Sequence, residues 1–239
     1  MNILAIDASG LTCSVAIASD KEIIGEYTLN YTRTHSVTLL PLIDKLIKET
    51  GFIVNEFDYV ATAGGPGSFT GLRIGSATAK GLSFSWSTPI ISVPTVDALA
   101  YNMWGSDGLI CPIMDARRHQ TYTGIYRFED ATDTSKKLKV IHEEYATEID
   151  TLIEELSGYN EPITFLGDGV PVFRDYIDKN LENVHFYAPG NLCRQRASSV
   201  ALLASEYAEE GRIQTAEEHR PIYLRETQAE RERKANEGK

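Results

Sequence analysis

The segment Gly64-Gly65-Pro66-Gly67-Ser68-Phe69-Thr70-Gly71-Leu72-Arg73-Ile74-Gly75 joins an apolar run to a helical pattern through a glycine-rich loop with two hydroxyls. Glycine permits positive φ and close backbone approach, and the amides of a first helical turn could receive an anion. The loop is not a Walker sequence, which ends in Gly-Lys-Ser/Thr. Nor is it a Gly-x-Gly-x-x-Gly fingerprint, because Gly65, Gly67 and Gly71 are separated by two and four residues. Ser68 or Thr70 serves equally well as a helix N-cap, so a structural turn and an anion contact both stay open. Asp7 and Asp115 each close a short apolar run. A carboxylate there could hold a metal bound to phosphates, or cap the turn that follows it.

Other chemistry is missing. The histidines at 35, 119, 142, 185 and 219 form no His-x-x-x-His pair, and His142-Glu143-Glu144-Tyr145 lacks a second ligand, so no metal site is expected. There is no Gly-x-Ser-x-Gly elbow, and Ser68 has no nearby Asp or His to suggest a triad. Cys13, Cys111 and Cys193 are odd in number and lack Cys-x-x-Cys spacing, which argues against a disulfide framework and fits a reducing cytoplasm. The start, Met1-Asn2-Ile3-Leu4-Ala5-Ile6-Asp7, does not read as a signal peptide. No stretch reaches the roughly 18 uninterrupted apolar residues of a membrane span, and no membrane partner is expected.

The elements that would position these residues follow from periodicity. Ile3 to Ile6 is a short strand, Cys13, Val15 and Ile17 alternate as a second, and Glu22 to Leu29 is a third. From Ser36 to Thr50 apolar residues recur at three and four, which predicts a helix with Pro41 near its start. Tyr59 to Ala63 is a strand, about Thr70 to Phe84 a helix, Pro89 to Val93 a strand, and Pro94 opens a further helix. The opening then repeats. Leu109 to Met114 ends in Asp115, and after Ala116-Arg117-Arg118-His119-Gln120 comes a strand from Thr121 to Phe128. A strand at Ile163 to Leu166 and helices near Val172 to Lys179 and Ala197 to Glu210 complete this second half. The expectation is an α/β protein of two similar subdomains, 1–106 and 107–225, each a mixed sheet flanked by helices and joined at Gly105-Ser106-Asp107-Gly108. The tail, 226–239, reads as solvated and frayed.

Charge sets a further limit. Across 239 residues, 23 Lys and Arg oppose 34 Asp and Glu, a net charge of −11, so unaided nucleic-acid binding is disfavoured on average. Two helices carry another signal. Val37, Leu39, Leu40, Leu42, Ile43, Leu46 and Ile47 extend further round the first than one sheet-facing stripe needs. Gly71, Gly75 and Ala79 leave a stripe of the second almost without side chains. That stripe suits close approach by a neighbour, either within this fold or from a partner.

The duplicated layout with Asp7 at the first turn resembles the actin/sugar-kinase/Hsp70 ATPase superfamily. The loop Gly65 to Gly75, with Ile6-Asp7-Ala8-Ser9 before it, Thr34-His35-Ser36 leading into Leu39-Leu40-Pro41, and Pro221-Ile222-Tyr223-Leu224-Arg225 near the end, resembles its TsaB (YeaZ) family over roughly residues 1–225. The resemblance implies two RNase H-like subdomains and a dimerisation subunit without catalytic residues. It implies pairing with a TsaD-type catalytic subunit for threonylcarbamoylation of adenosine in tRNA. A TsaE-type ATPase would dock on that pair, tRNA would be held by the assembly, and the subunit alone would form a homodimer. The partner face would comprise His35, Ser36, Leu39, Leu40, Ile43, Leu46, Ile47, Leu72, Gly75 and Ala79. No cofactor is expected, although Asp7, Ser9, Gly67, Ser68, Gly167 and Gly169 could give weak nucleotide or anion binding. ATP-binding members need a glycine after the second-half Asp, but Asp115 precedes Ala116-Arg117-Arg118. Ala8 also stands where the family more usually has a hydroxyl. The competing readings are a stand-alone ATP-dependent kinase-like enzyme, resting on Asp7, Asp115 and the loop, and a peptidase, which has no metal pair or nucleophile to support it.

Overall fold

A computed structural model describes residues 1–31, 34–132 and 135–225. The 226–239 tail lies outside the described residues. The first half places β1 (Asn2–Asp7), β2 (Cys13–Ser19), β3 (Glu22–Leu29), β4 (Tyr59–Gly65) and β5 (Ile90–Pro94) in one sheet of order β3-β2-β1-β4-β5. Between them run α1 (His35–Thr50) and α2 (Phe69–Trp86), and α3 (Thr95–Tyr101) follows β5. The second half repeats this with β6 (Leu109–Asp115), β7 (Gln120–Thr132), β8 (Ser135–Glu148), β9 (Ile163–Leu166) and β10 (His185–Tyr187). Its sheet, β10-β9-β6-β7-β8, is the same order in corresponding strands. α4 (Ile149–Leu156), α5 (Val170–Asn180) and α6 (Ala197–Glu209) take the places of α1, α2 and α3. In each half the first strand pairs antiparallel with the second and parallel with the fourth.

The central strands are apolar without alternation because both of their faces are covered. Ile3 and Ala5 meet α6, while Leu4 and Ile6 share a cluster with Leu39, Ile43 and Leu46 of α1 and Ala79 of α2. In the second sheet Leu109, Cys111 and Ile113 face α4 and α5, while Ile110 and Met114 face Val96 and Leu99 of α3. The last helix among the described residues, α6, therefore completes the core of the first sheet.

Its start is fixed there by hydrogen bonds. The Ala197 N–H donates to Ser14 Oγ at 2.9 Å, and the Glu26 carboxylate accepts the Ser198 N–H at 3.0 Å, the Ser198 hydroxyl at 2.8 Å and the Arg196 guanidinium. Burial alone would raise the Glu26 pKa, but the bonds from Arg196 and Ser198 hold it below its ordinary value.

After α6 the chain returns across the first half. Gln214 and Ile90 exchange backbone bonds, the Lys80 ammonium donates to the His219 carbonyl at 3.0 Å, and the Ile222 N–H donates to the Gly64 carbonyl at 2.7 Å. Among the described residues no helix is long and apolar enough to cross a membrane, and all three cysteines are free thiols.

Candidate functional site

Two features could carry function: the outer faces of α1 and α2, and the cleft between the halves. The Gly65-Pro66-Gly67-Ser68 loop positions both. Its Ser68 N–H donates to the Ser9 carbonyl at 2.7 Å, and Ser68 Oγ caps α2 by accepting the Gly71 N–H at 3.3 Å. A Cβ on Gly67 would overlap the Ser9 carbonyl, and one on Gly71 the Ala8 carbonyl, so only glycine lets α2 start this close to the β1–β2 turn.

Part of the expected partner face packs inside the chain. A Cβ on Gly75 would meet Ala8 and Thr62 at ordinary contact distance, and Leu72, Gly75 and Ala79 are buried within the chain itself. The small-residue stripe is thus used internally. Leu39, Ile43 and Leu46 are also buried in the first-half core. Among the other expected contacts, Ile47 is half-buried, and His35 is half-buried with its Nε2 2.9 Å from the Gly10 carbonyl, anchoring the start of α1. Ser36 and Leu40 are exposed.

The outward apolar face consists of other residues. Val37 is 70% exposed, Leu40 55% and Phe84 82%, while Ala77 and Gly81 are exposed between Arg73 and Phe84 on α2. A Cβ on Gly81 would meet no atom within 4 Å. A signal for this face was present in the sequence: Arg73, Ala77, Gly81 and Phe84 recur at four, four and three. The inward stripe, with more glycines, masked it.

The cleft holds about 470 Å³ and is lined by Ser9, Gly67, Ser68, Asp115, Arg117, Asp168 and Arg194 among others. It brings Ser9, Gly67 and Ser68 together, and the side chains of Ser9 and Ser68 are engaged within the chain. Asp7 Oδ1 accepts both the Ser9 N–H at 2.9 Å and the Ser9 hydroxyl at 2.6 Å, while its Oδ2 is buried without a partner. Burial pushes the Asp7 acid up to about 6, against the lowering effect of the Ser9 bonds and the His35 charge. Asp115 accepts the Arg117 N–H at 2.8 Å and pairs with its guanidinium at 3.0 Å. Asp168 accepts the Asp115 N–H at 3.2 Å, and burial raises its pKa.

The Gly167 N–H donates to the Cys193 carbonyl and the Gly169 N–H to the Ile113 carbonyl, at 2.8 and 2.9 Å. A Cβ at Gly167 would overlap the Ile113 carbonyl, so this turn is needed for close packing of β6. Among the described residues there is no group of three or more His, Cys, Asp or Glu that could hold a metal ion.

Two halves of one topology around a central cleft define a protein of the actin/sugar-kinase/Hsp70 ATPase-like fold. Solved structures agree. YeaZ from Pseudomonas aeruginosa is similar with a TM-score of 0.76 at 23% identity, over 93% of this chain and 99% of that one. The activator of the 2-hydroxyisocaproyl-CoA dehydratase from Clostridium difficile, with bound ADPNP, has a TM-score of 0.51 at 10% identity, over 88% of this chain and 97% of its own. The family model described as TsaD, tRNA N6-adenosine threonylcarbamoyltransferase, matches residues 22–233. The tRNA threonylcarbamoyladenosine biosynthesis protein TsaB of Bacillus subtilis (strain 168) is 32% identical over 232 residues, covering 96% of each chain. The chain belongs to the TsaB family, within the wider TsaD-like family.

One neighbour of this fold is described with bound ADPNP, and the Asp115 and Asp168 carboxylates of the cleft here are engaged by their own chain. Asp115 is tied to Arg117, the turn after it carries two arginines instead of a glycine, and Asp7 leaves a single buried oxygen to offer.

Proposed function

We propose that this chain is a non-catalytic subunit that pairs with a TsaD-type catalytic subunit and supports threonylcarbamoylation of the adenosine next to the anticodon of ANN-decoding tRNAs. The observation that carries the reading is the outward face of α1 and α2. Val37, Leu40 and Phe84 expose large apolar side chains around Ala77 and Gly81, where nothing bulky projects. Soluble monomers rarely leave such faces to water, and a second helical pair can bury them at close range. The engaged carboxylates of the cleft support the absence of a reaction centre in this subunit. The acceptor surface is one that a sister subunit of similar fold would match, which also makes self-association of the lone chain an outcome of the same chemistry. A TsaE-type ATPase would then act on the assembled pair in the cytoplasm.

Charge substitution on the exposed face tests this without disturbing the core. Leu40→Asp and Phe84→Asp should each weaken capture of the TsaD-type subunit by roughly tenfold or more, while changing stability by about 0.5 kcal/mol or less. Size-exclusion chromatography of the mixed subunits reads the first effect and thermal unfolding the second. Modification of tRNA by the reconstituted mixture should fall in parallel. If both variants assembled and supported modification like the parent, the helix-face reading would be wrong. The same charges placed at Leu39 or Ile43 would instead unfold the first half, because those side chains are buried.

A further inference from the structure

The turn between β6 and β7 holds Arg117, Arg118 and His119 at φ of 64°, 56° and 63°, three successive residues with side chains in the left-handed region. Glycine, asparagine or aspartate would relieve such a turn, whereas Arg-Arg-His does not. The surroundings hold it in place. The Ala116 N–H donates to the Gln120 carbonyl at 3.0 Å, the Ile149 N–H at the start of α4 donates to the His119 carbonyl at 3.1 Å, and His119 Nε2 meets the Asp150 carboxylate at 3.0 Å. The His119 ring stands edge-on to Tyr176. A conformation fixed this firmly against its local cost fits a fixed presentation of its side chains.

Arg117 and Arg118 are cationic, and other guanidinium groups join them. Arg117 and Arg118 are exposed; Arg117 pairs with Asp115, and Arg118 has no charge partner among the described residues. The Arg225 guanidinium donates to the Ala116 carbonyl directly beneath the turn. Two residues before Arg225, the exposed Tyr223 ring lies 4.9 Å from that of Phe69, which Arg73 covers from its own side. Arg194 lines the cleft together with Arg117. Arg117, Arg118, Arg194 and Arg225 thus gather at the turn and the cleft lining, in a protein whose net charge is −11.

We infer that this rim, Arg117 and Arg118 with Arg225 and Tyr223, is a contact surface for the phosphodiester backbone of a structured RNA. The inference rests on the proposed function, which puts a tRNA on the assembly, and adds where this subunit touches it. Arginine is suited to phosphate, and an exposed ring beside it can stack an unpaired base. A protein partner would require apolar anchors at the centre of its contact. The three turn residues offer none, although Leu11 and Val172 are exposed in the cleft lining nearby. The overall negative charge keeps the isolated chain from binding RNA indiscriminately, so the rim acts once a partner supplies further contacts.

The test is tRNA binding by the assembled pair, titrated against salt, with Arg118→Glu and Arg118→Lys compared with the parent. Lys179→Glu, an exposed charge on α5, serves as the remote control. Arg118→Glu should weaken binding roughly tenfold near 0.1 M salt and lower the slope of log K against log salt by about 1, with Arg118→Lys close to the parent. Unchanged affinity and slope for Arg118→Glu in an intact assembly would overturn the inference. So would a loss of subunit assembly with tRNA binding unmoved, since the turn would then be a protein contact. If the parent chain failed to assemble at all, the proposed function would fall by itself. Crosslinking of tRNA to the lone chain at low salt, parent against Arg118→Glu, would then read the rim separately: a parent yield above background that Arg118→Glu lowers supports it, and one that Arg118→Glu leaves unchanged, or a parent yield no higher than background, counts against it.

Discussion

Buried carboxylates give this protein its pH response at the scale of single residues. Glu144 on β8 is pushed up to about 8 by burial, then by the charges of Asp97 and Glu143, and its Oε2 is buried without a partner. Asp97 beside it accepts the Tyr126 hydroxyl at 2.8 Å and the Tyr207 hydroxyl at 2.9 Å. A carboxyl whose folded pKa exceeds its unfolded value contributes stability that is complete below the unfolded value of 4.5 and lost as pH rises through about 8. Unfolding free energy should therefore fall across that window with a slope approaching about 1.4 kcal/mol per pH unit, and Glu144→Gln should remove that component. Urea titrations from pH 5 to 8.5 on both proteins read the difference, and parallel curves would show that Glu144 ionises normally. His219 acts in the opposite sense. Burial, then the Lys80 and Arg220 charges, lower it to about 4, so its contribution is present above 6.5 and lost as pH falls through 4.

Among the elements, α2 has two faces that look alike in composition and differ in consequence. Gly71, Gly75 and Ala79 pack inward, where Gly71 admits no Cβ beside the Ala8 carbonyl; Ala77 and Gly81 point outward. Gly71→Ala should cost about 1–3 kcal/mol through overpacking, while Gly81→Ala should add roughly 0.5–1 kcal/mol by helix propensity. Chemical denaturation of the pair checks both signs. Equal effects would mean that α2 is rotated from the orientation described. The same distinction explains why a helix face cannot be assigned from small residues alone: a stripe of glycine permits approach by a sheet as readily as by another helix.

For the whole molecule, the exchange of final helices couples the halves. α6 supplies Ala197, Val200, Ala201 and Ala204 to the first-sheet core, and α3 supplies Val96 and Leu99 to a cluster on the second sheet. Neither half retains a complete core without the other, so calorimetry should show one cooperative transition. Glu26→Ala, which releases the start of α6, should lower that single midpoint by roughly 4–8 °C, the equivalent of about 2 kcal/mol, without splitting it. Two resolved transitions would contradict the coupling.

The repeated half was legible in the sequence because strand and helix periods are local. Apolar runs ending in Asp7 and Asp115, alternation in β2 and β7, and the three- and four-residue spacing of α1 needed no tertiary knowledge. β8 was harder to read. It is an edge strand with lysines and glutamates on its open side, and its apolar partners come from β7 and α4. The spacing of Ile149, Leu152, Ile153 and Leu156 marks α4, but it is short and set among acids. The candidate site divided the same way. That α1 and α2 carry excess apolar and small residues follows from the sequence. Which of those residues reach water was decided by the close approach of α2 to the β1–β2 turn, because the orientation of a helix is fixed by what it packs against and not by its own period. The fate of Asp7 and Asp115 likewise depended on neighbours two residues on: Ser9 occupies one oxygen of Asp7, and the Arg117 amide and guanidinium take both oxygens of Asp115. Residue types set what each group can do; the fold decides which groups are already satisfied.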